Sequence, residues 1–265
     1  MTNQIAKHPI RTLHLFLAGL FLSSLACSSI PILAPPTATP TPTQTPTATL
    51  TPTPTQTPTV TLTPTRTITP TVSYLDWPVV FSDTFDADRG DWYTGTQNDE
   101  YTTGQVSIAD GRYFFQLTAR KSFFWRLSAQ TKDLRDFYLS AEVKKNSGSE
   151  DTDYGLTFRS SGSSTYYFCI NADTQEYQLA VLLDGKWRTL LRWKHSSRIK
   201  ADGANRIAVL GQKTQFTLFI NDEEVETLDD GDLDLGSVGI GLGFASAGGR
   251  AELEFDNFDV TAPKK

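Results

Sequence analysis

From Tyr74 onward, apolar and polar residues take turns in short runs. In Phe137-Tyr-Leu-Ser-Ala-Glu-Val-Lys, the side chains of Phe137, Leu139, Ala141 and Val143 fall on one side and those of Tyr138, Ser140, Glu142 and Lys144 on the other. That is the period of two of a half-buried strand. Similar runs recur at 111–119, 122–129, 153–160, 164–172, 175–183, 186–193, 205–211, 214–220, 236–244 and 250–260. Turn-forming residues separate them: Asp110-Gly111, Ser160-Ser-Gly-Ser-Ser, Asp184-Gly185, Asn221-Asp222 and Gly248-Gly249. No stretch has a helical apolar face. Many short strands with hairpin turns predict an all-β domain over 74–265, a two-sheet antiparallel sandwich of jelly-roll type.

The first 73 residues follow another pattern. Lys7, His8 and Arg11 precede an apolar run, Leu13 to Ala26. Its length suits a signal-peptide core over 1–26 and is short for a membrane-spanning helix, which needs about 20 residues. The run ends in Ser24-Leu25-Ala26-Cys27, which resembles a bacterial lipoprotein box and implies lipidation of Cys27. The same stretch also reads as an ordinary cleavage site, or as an uncleaved anchor. Thr then occupies every odd position from Thr37 to Thr71, with Pro at many even ones. Such a segment has too little apolar surface to offset the entropy of ordering, so 27–73 is expected to be a disordered, extended stalk. The localisation this predicts is extracytoplasmic, on a membrane lipid anchor or at the cell surface.

Charge sharpens the division. No Asp or Glu precedes Tyr74, and only Lys7, Arg11 and Arg66 are basic there, so the domain carries 21 Lys+Arg against 30 Asp+Glu, a formal charge of 21 − 30 = −9. Nucleic-acid affinity comes largely from cations displacing counterions, so nucleic acid is a poor partner for it. Cys27 and Cys169 lie in different regions and do not pair; Cys169, among Tyr167, Phe168 and Ile170, reads as a strand thiol. The domain has one histidine, His195, in a basic surface segment, and no Gly-x-Ser-x-Gly elbow. A serine triad, a zinc site and a phosphate loop therefore all lack their residues. Glu252, Glu254 and Asp256 share one strand face, which is more often solvated than catalytic.

A series of motifs spans nearly the whole domain. It opens with Phe81-Ser-Asp-Thr-Phe-Asp and Trp92. It continues through Phe137-Tyr-Leu-Ser-Ala-Glu-Val, Tyr154-Gly-Leu-Thr-Phe-Arg, Tyr166-Tyr-Phe-Cys-Ile-Asn and Tyr177-Gln-Leu followed by Trp187. It closes with Val238-Gly-Ile-Gly and Phe255-Asp-Asn-Phe-Asp-Val. Their order resembles the concanavalin A-like lectin/glucanase jelly-roll superfamily, and within it the laminin-G-like and 3-keto-disaccharide-hydrolase-like domains. In hydrolase-like relatives one strand reads Asn-Ser-Gly-Ile; here Asp153-Tyr-Gly-Leu stands in that place. The resemblance implies pairing of the first and last strands. It also implies a structural calcium ion shared by Asp83 and the Asp256 region, since calcium takes carboxylate oxygens. The alternative for these aspartates is capping of local turns.

For binding, the polar face of the central strands stands out. Glu142, Thr157, Arg159, Tyr167, Asn171 and Gln178 fall on consistent alternate positions of neighbouring runs. Planar hydrogen-bonding groups beside an aromatic platform (Tyr167, Trp125 or Trp187) suit the hydroxyls and the C–H face of a sugar. The bland alternative is an exposed polar sheet face with a Glu142–Arg159 cross-strand pair. Three functions are expected from these residues. The leading one is a tethered, non-catalytic module for carbohydrate or a cell-envelope glycan. The others are a glycoside-processing hydrolase of the 3-keto-disaccharide type using Glu142 and Arg159, and an adhesion domain with a protein partner.

Overall fold

A computed structural model describes residues 73–264 apart from Ser122; the expected leader (1–26), the lipidation site Cys27 and the stalk lie outside the described residues. Fifteen strands follow a single 3-10 turn at Tyr74–Asp76. They are β1 (Val79–Asp83), β2 (Gly95–Asn98), β3 (Thr102–Ala109), β4 (Arg112–Ala119), β5 (Phe123–Leu127), β6 (Phe137–Gly148), β7 (Thr152–Ser161) and β8 (Ser164–Asn171). The series continues with β9 (Glu176–Leu183), β10 (Lys186–His195), β11 (Asn205–Gln212), β12 (Gln215–Ile220), β13 (Glu223–Asp229), β14 (Ser237–Phe244) and β15 (Arg250–Thr261). No helix among them is long and apolar enough to cross a membrane.

Every run named from the alternation is a strand. Four further strands, β1, β2, β3 and β13, escape it. Three of them bury little: β2 has only Gln97 buried, β1 only Phe81 and Asp83, and β13 nothing. A strand that faces water on most positions shows no apolar period. For β3 a signal exists, since Val106 and Ile108 lead into the Asp110-Gly111 hairpin turn. Both turn residues take positive φ, 49° and 68°, as do Asp184 and Gly185 at 47° and 81°, the geometry of the tight hairpins their sequence predicts.

The strands form two antiparallel sheets. One has nine strands in the order β13-β12-β11-β6-β15-β4-β3-β2, with β1 also paired to β15; the other has six, β10-β9-β8-β7-β14-β5. The first and last strands pair as the resemblance implies, with Phe81 opposite Val260 and Asp83 opposite Phe258. The chain changes sheet repeatedly: β5, β7 to β10 and β14 belong to the smaller layer. Between the layers lies one core, including Phe115, Phe137, Leu139 and Phe255 from the larger sheet and Tyr154, Leu156, Phe158, Phe168 and Ile240 from the smaller. Each such buried side chain contributes about 1.5–3 kcal/mol relative to exposure.

This layering corrects one expectation. Glu142 and Arg159 are not cross-strand neighbours, because β6 pairs with β11 and β15 whereas β7 pairs with β14 and β8. Glu142 is half-buried on the larger sheet, opposite Arg206 and Asp256. Arg159 sits at a break in strand register with φ 49°, a conformation rare for a bulky residue. The break takes its side chain out of the alternation. The guanidinium is fully buried, lies over the Phe216 ring at 4.7 Å, and donates to the carbonyls of Leu233 (2.9 Å), Arg135 (2.8 Å) and Lys213. It ties three loops together from inside the protein.

Candidate functional site

The outer face of the six-stranded sheet carries small residues where side chains would otherwise stand. Gly239, Gly241 and Gly243 alternate along β14, Gly155 sits on β7, and Ala180 pairs with Tyr167 from β9. Larger side chains lie across two of these bare positions, Gly241 and Gly243. A Cβ on Gly241 would fall 2.6 Å from the Tyr167 ring, and one on Gly243 would fall 2.3 Å from Asp153 Oδ1. Gly241 and Gly243 are therefore the space into which Tyr167 and Asp153 fold.

The same bareness lets the edges meet. β5 and β10 are opposite edges of the sheet, yet the rings of Phe123 and Trp187 touch edge to face with centroids 4.9 Å apart. Tyr167 packs beneath both, at 4.7 Å from Phe123 and 6.2 Å from Trp187. Trp125 stacks on Phe123 at 5.2 Å and so backs the aromatic bank without lining the groove itself. The sheet is thus curled, and an aromatic bank crosses its outer face.

Beside this bank lies a groove of about 630 Å³, within the about 300–1,000 Å³ usual for small-ligand sites. Asp153, Asn171, Gln178 and Gly243 line it from the sheet, Glu150 and Asp151 from the β6–β7 turn, and Glu176 and Trp193 from β9 and β10. Trp187 and Trp193 are 43% and 40% exposed, unusually open for indoles. Of the residues expected from the sequence, Tyr167, Asn171, Gln178 and Trp187 converge here. Glu142 and Arg159 do not.

The polar groups divide by how far the fold already uses them. Asn171 is committed: its amide donates to the Glu150 carbonyl at 2.8 Å, and its Oδ1 accepts from the N–H groups of Asp173 (2.9 Å) and Thr174 (3.2 Å). It shapes the end of the groove by pinning two turns. The Gln178 carboxamide has no hydrogen-bond partner among the described residues. Asp153 Oδ1 accepts from the Tyr167 hydroxyl at 2.8 Å. Burial pushes the Asp153 carboxyl up to about 6, Asp151 adds to the rise, and Tyr167 and the nearby Cys169 thiol pull it partly back. Burial likewise holds the Cys169 thiol and the Tyr167 phenol well above their usual ranges, so Cys169 is a packed thiol and not a nucleophile.

Asp153, Trp193 and Phe123 were not legible as site residues. The one available signal was the Gly-x-Gly-x-Gly alternation of β14, since a bare track on a strand face invites neighbouring side chains to fill it.

The aspartates suggested for calcium are engaged elsewhere. Asp83 accepts from the Phe85 N–H (2.9 Å) and the Trp92 indole N–H (3.1 Å), and pairs with Arg89 at 2.9 Å. Asp256 pairs with Arg112 at 2.5 Å and accepts from the Asn257 N–H at 2.8 Å. No group of three or more His, Cys, Asp or Glu residues is placed to hold an ion among the described residues. A shared calcium does not fit carboxylates whose lone pairs already meet protein donors and two arginines.

No protein-family model matches the sequence, and no curated protein is significantly similar to it. Solved structures do match in shape. SCLam, a non-specific endo-β-1,3(4)-glucanase of family GH16, is 10% identical with a TM-score of 0.53, over 71% of this chain and 92% of that one. The Bacillus licheniformis β-glucanase is 14% identical with a TM-score of 0.52, over 70% and 98%. The laminarinase of Flavobacterium sp. UMI-01 is 12% identical with a TM-score of 0.51, over 70% and 100%. At such identities the likeness is one of fold, and the domain has the concanavalin A-like jelly-roll fold of these glucanases.

Proposed function

We propose that the chain is a carbohydrate-binding module held outside the cytoplasm on its Thr/Pro-rich stalk, lipid-anchored through Cys27, and that it binds glycan in the groove on the six-stranded sheet. The observation that carries this reading is the pair of half-exposed indoles, Trp187 and Trp193, facing one groove with the unengaged Gln178 amide and the Asp153 carboxyl. Indole faces take the C–H face of a sugar ring, and planar polar groups take its hydroxyls. The jelly-roll glucanases with the same fold lend it general support. The hydrolase reading took Glu142 and Arg159 into one groove; they occupy different sheets, and Arg159 is buried, so those two residues do not share a groove.

The test is a glycan panel probed with the full chain in detergent micelles. Binding to at least one glycan is expected, weakened roughly 3–10-fold by Trp193→Ala and again by Trp187→Ala, the range that aromatic contacts contribute. A folded protein that binds no glycan, yet still captures a cell surface stripped of its glycans, would move the function to a protein partner.

A further inference from the structure

Several carboxylates elsewhere in the domain have cations. Asp83 has Arg89, Asp173 has Lys145, Asp230 has Arg188, Glu226 has Lys194 and Glu254 has Lys144. The groove gathers four carboxylates and carries no such pair among the described residues. Glu150, Asp151, Asp153 and Glu176 all line it, none of them forms an ion pair among the described residues, and no Lys, Arg or His side chain lines it. The groove and its indoles define the site; the carboxylates decide what charge it accepts. Four uncompensated acidic groups beside low-dielectric aromatic walls hold a negative potential that water and salt screen least at the groove floor. Burial does most to raise the Asp153 carboxyl, and Asp151 beside it adds to the rise.

We propose that the groove is selective for amino glycans, sugar chains whose hexosamine units carry free ammonium groups, and that Asp153, Glu176 and the Glu150–Asp151 turn supply the counter-charges the protein otherwise withholds from them. A hexosamine ring offers both features the groove asks for: a C–H face for Trp187 and Trp193, and a cation at its edge for the carboxylates. Cation–aromatic attraction reinforces the pairing where the ammonium passes an indole face. Anionic glycans meet repulsion from the ionised carboxylates. This rests on the carbohydrate-binding reading above and narrows it to a substrate class.

A matched pair of probes tests it: the hexamer of β-1,4-linked glucosamine and the hexamer of N-acetylglucosamine, which share linkage and length and differ in the charge of the amine. Calorimetry with the full chain in micelles, at about pH 6 where the amines are charged, should give at least tenfold tighter binding of the amino hexamer. That preference should shrink severalfold between low and physiological salt, as expected for partly exposed charge pairs. Asp153→Asn with Glu176→Gln should bring the two hexamers close to equal. Asp202→Asn, an exposed charge outside the groove, should leave the preference intact and so separates a groove effect from general attraction to an acidic domain. Equal or tighter binding of the acetylated hexamer overturns the inference, as does a preference that survives the groove substitutions. If neither hexamer binds while another glycan does so through Trp193, the charge selectivity falls and the binding function stands. If no glycan binds at all, both fall together.

Discussion

Arg159 and Asp153 show how differently two polar residues on one strand can be used. Arg159 saturates the carbonyls of three loops from inside the protein. Removing it leaves buried acceptors without donors, a loss of about 1–3 kcal/mol per orphaned group at most. Arg159→Ala should therefore lower unfolding free energy by about 2–4 kcal/mol in denaturant titrations, while the affinity of the folded fraction for glycan stays unchanged. A loss of affinity at unaltered stability would return Arg159 to the site. Asp153 behaves oppositely, because its folded pKa of about 6 lies above the ordinary value of 3.8. The folded state then holds a proton that the unfolded state has released, so stability is full below about pH 4 and declines as pH rises through 6. Asp153→Asn should thus stabilise the domain at pH 8, by on the order of 2 kcal/mol, and much less at pH 4. Equal effects at the two pH values would show that Asp153 is not held protonated by its surroundings. The carboxylates of Asp83 and Asp256 give a third expectation at this scale. Since protein donors occupy both, adding a chelator should leave the melting midpoint where it is; a drop would reveal an ion that the geometry does not accommodate.

At the scale of elements, the two outermost strands on one side of the sandwich carry opposite charge. The exposed edge β10 and its following segment present Arg188, Lys194 and Arg198; β13 and its following loop present Glu223, Glu226, Asp230 and Asp232. They meet in the pairs Arg188–Asp230 (2.6 Å), Lys194–Glu226 (2.8 Å) and Arg198–Glu223 (2.5 Å). The Tyr177 hydroxyl adds a bond to the Val225 carbonyl at 3.0 Å. Charged edges also discourage strand addition by another chain. These pairs are largely exposed and screened by salt, so each contributes little to stability. Lys194→Ala should accordingly lower the denaturation midpoint only slightly at low salt and by almost nothing at high salt. A larger, salt-independent loss would mean that the stem of Lys194, not its charge, supports β10.

For the molecule as a whole, the two sheet faces have different tasks. The chain enters at Tyr74, whose ring stacks on Tyr138 at 5.3 Å, and Tyr138 faces outward from the nine-stranded sheet beside Phe219. The groove lies on the outer face of the other sheet. The rest of the larger sheet's outer face is spent on internal bonds, such as Lys144 and Asn146 to Glu254 and Gln116 to Glu252.

What the sequence determined by itself is local. A strand's period of two assigns each side chain a face, and Asp-Gly pairs set hairpin turns, so eleven strands and the sandwich class could be read from neighbouring residues alone. Tyr167, Asn171, Gln178 and Trp187 were legible because they alternate along consecutive, hairpin-joined strands β8, β9 and β10. Only the tertiary structure decided which sheet each strand joined, because pairing such as β6 with β15 or β7 with β14 links segments far apart in the chain. That choice separated Glu142 from Arg159. It also brought Phe123, from the far edge, onto Trp187, and laid Asp153 over Gly243. Period alone fixes inward or outward relative to a strand's own sheet; which residues outside that strand share the space is settled by non-local pairing and by the curl of the whole layer.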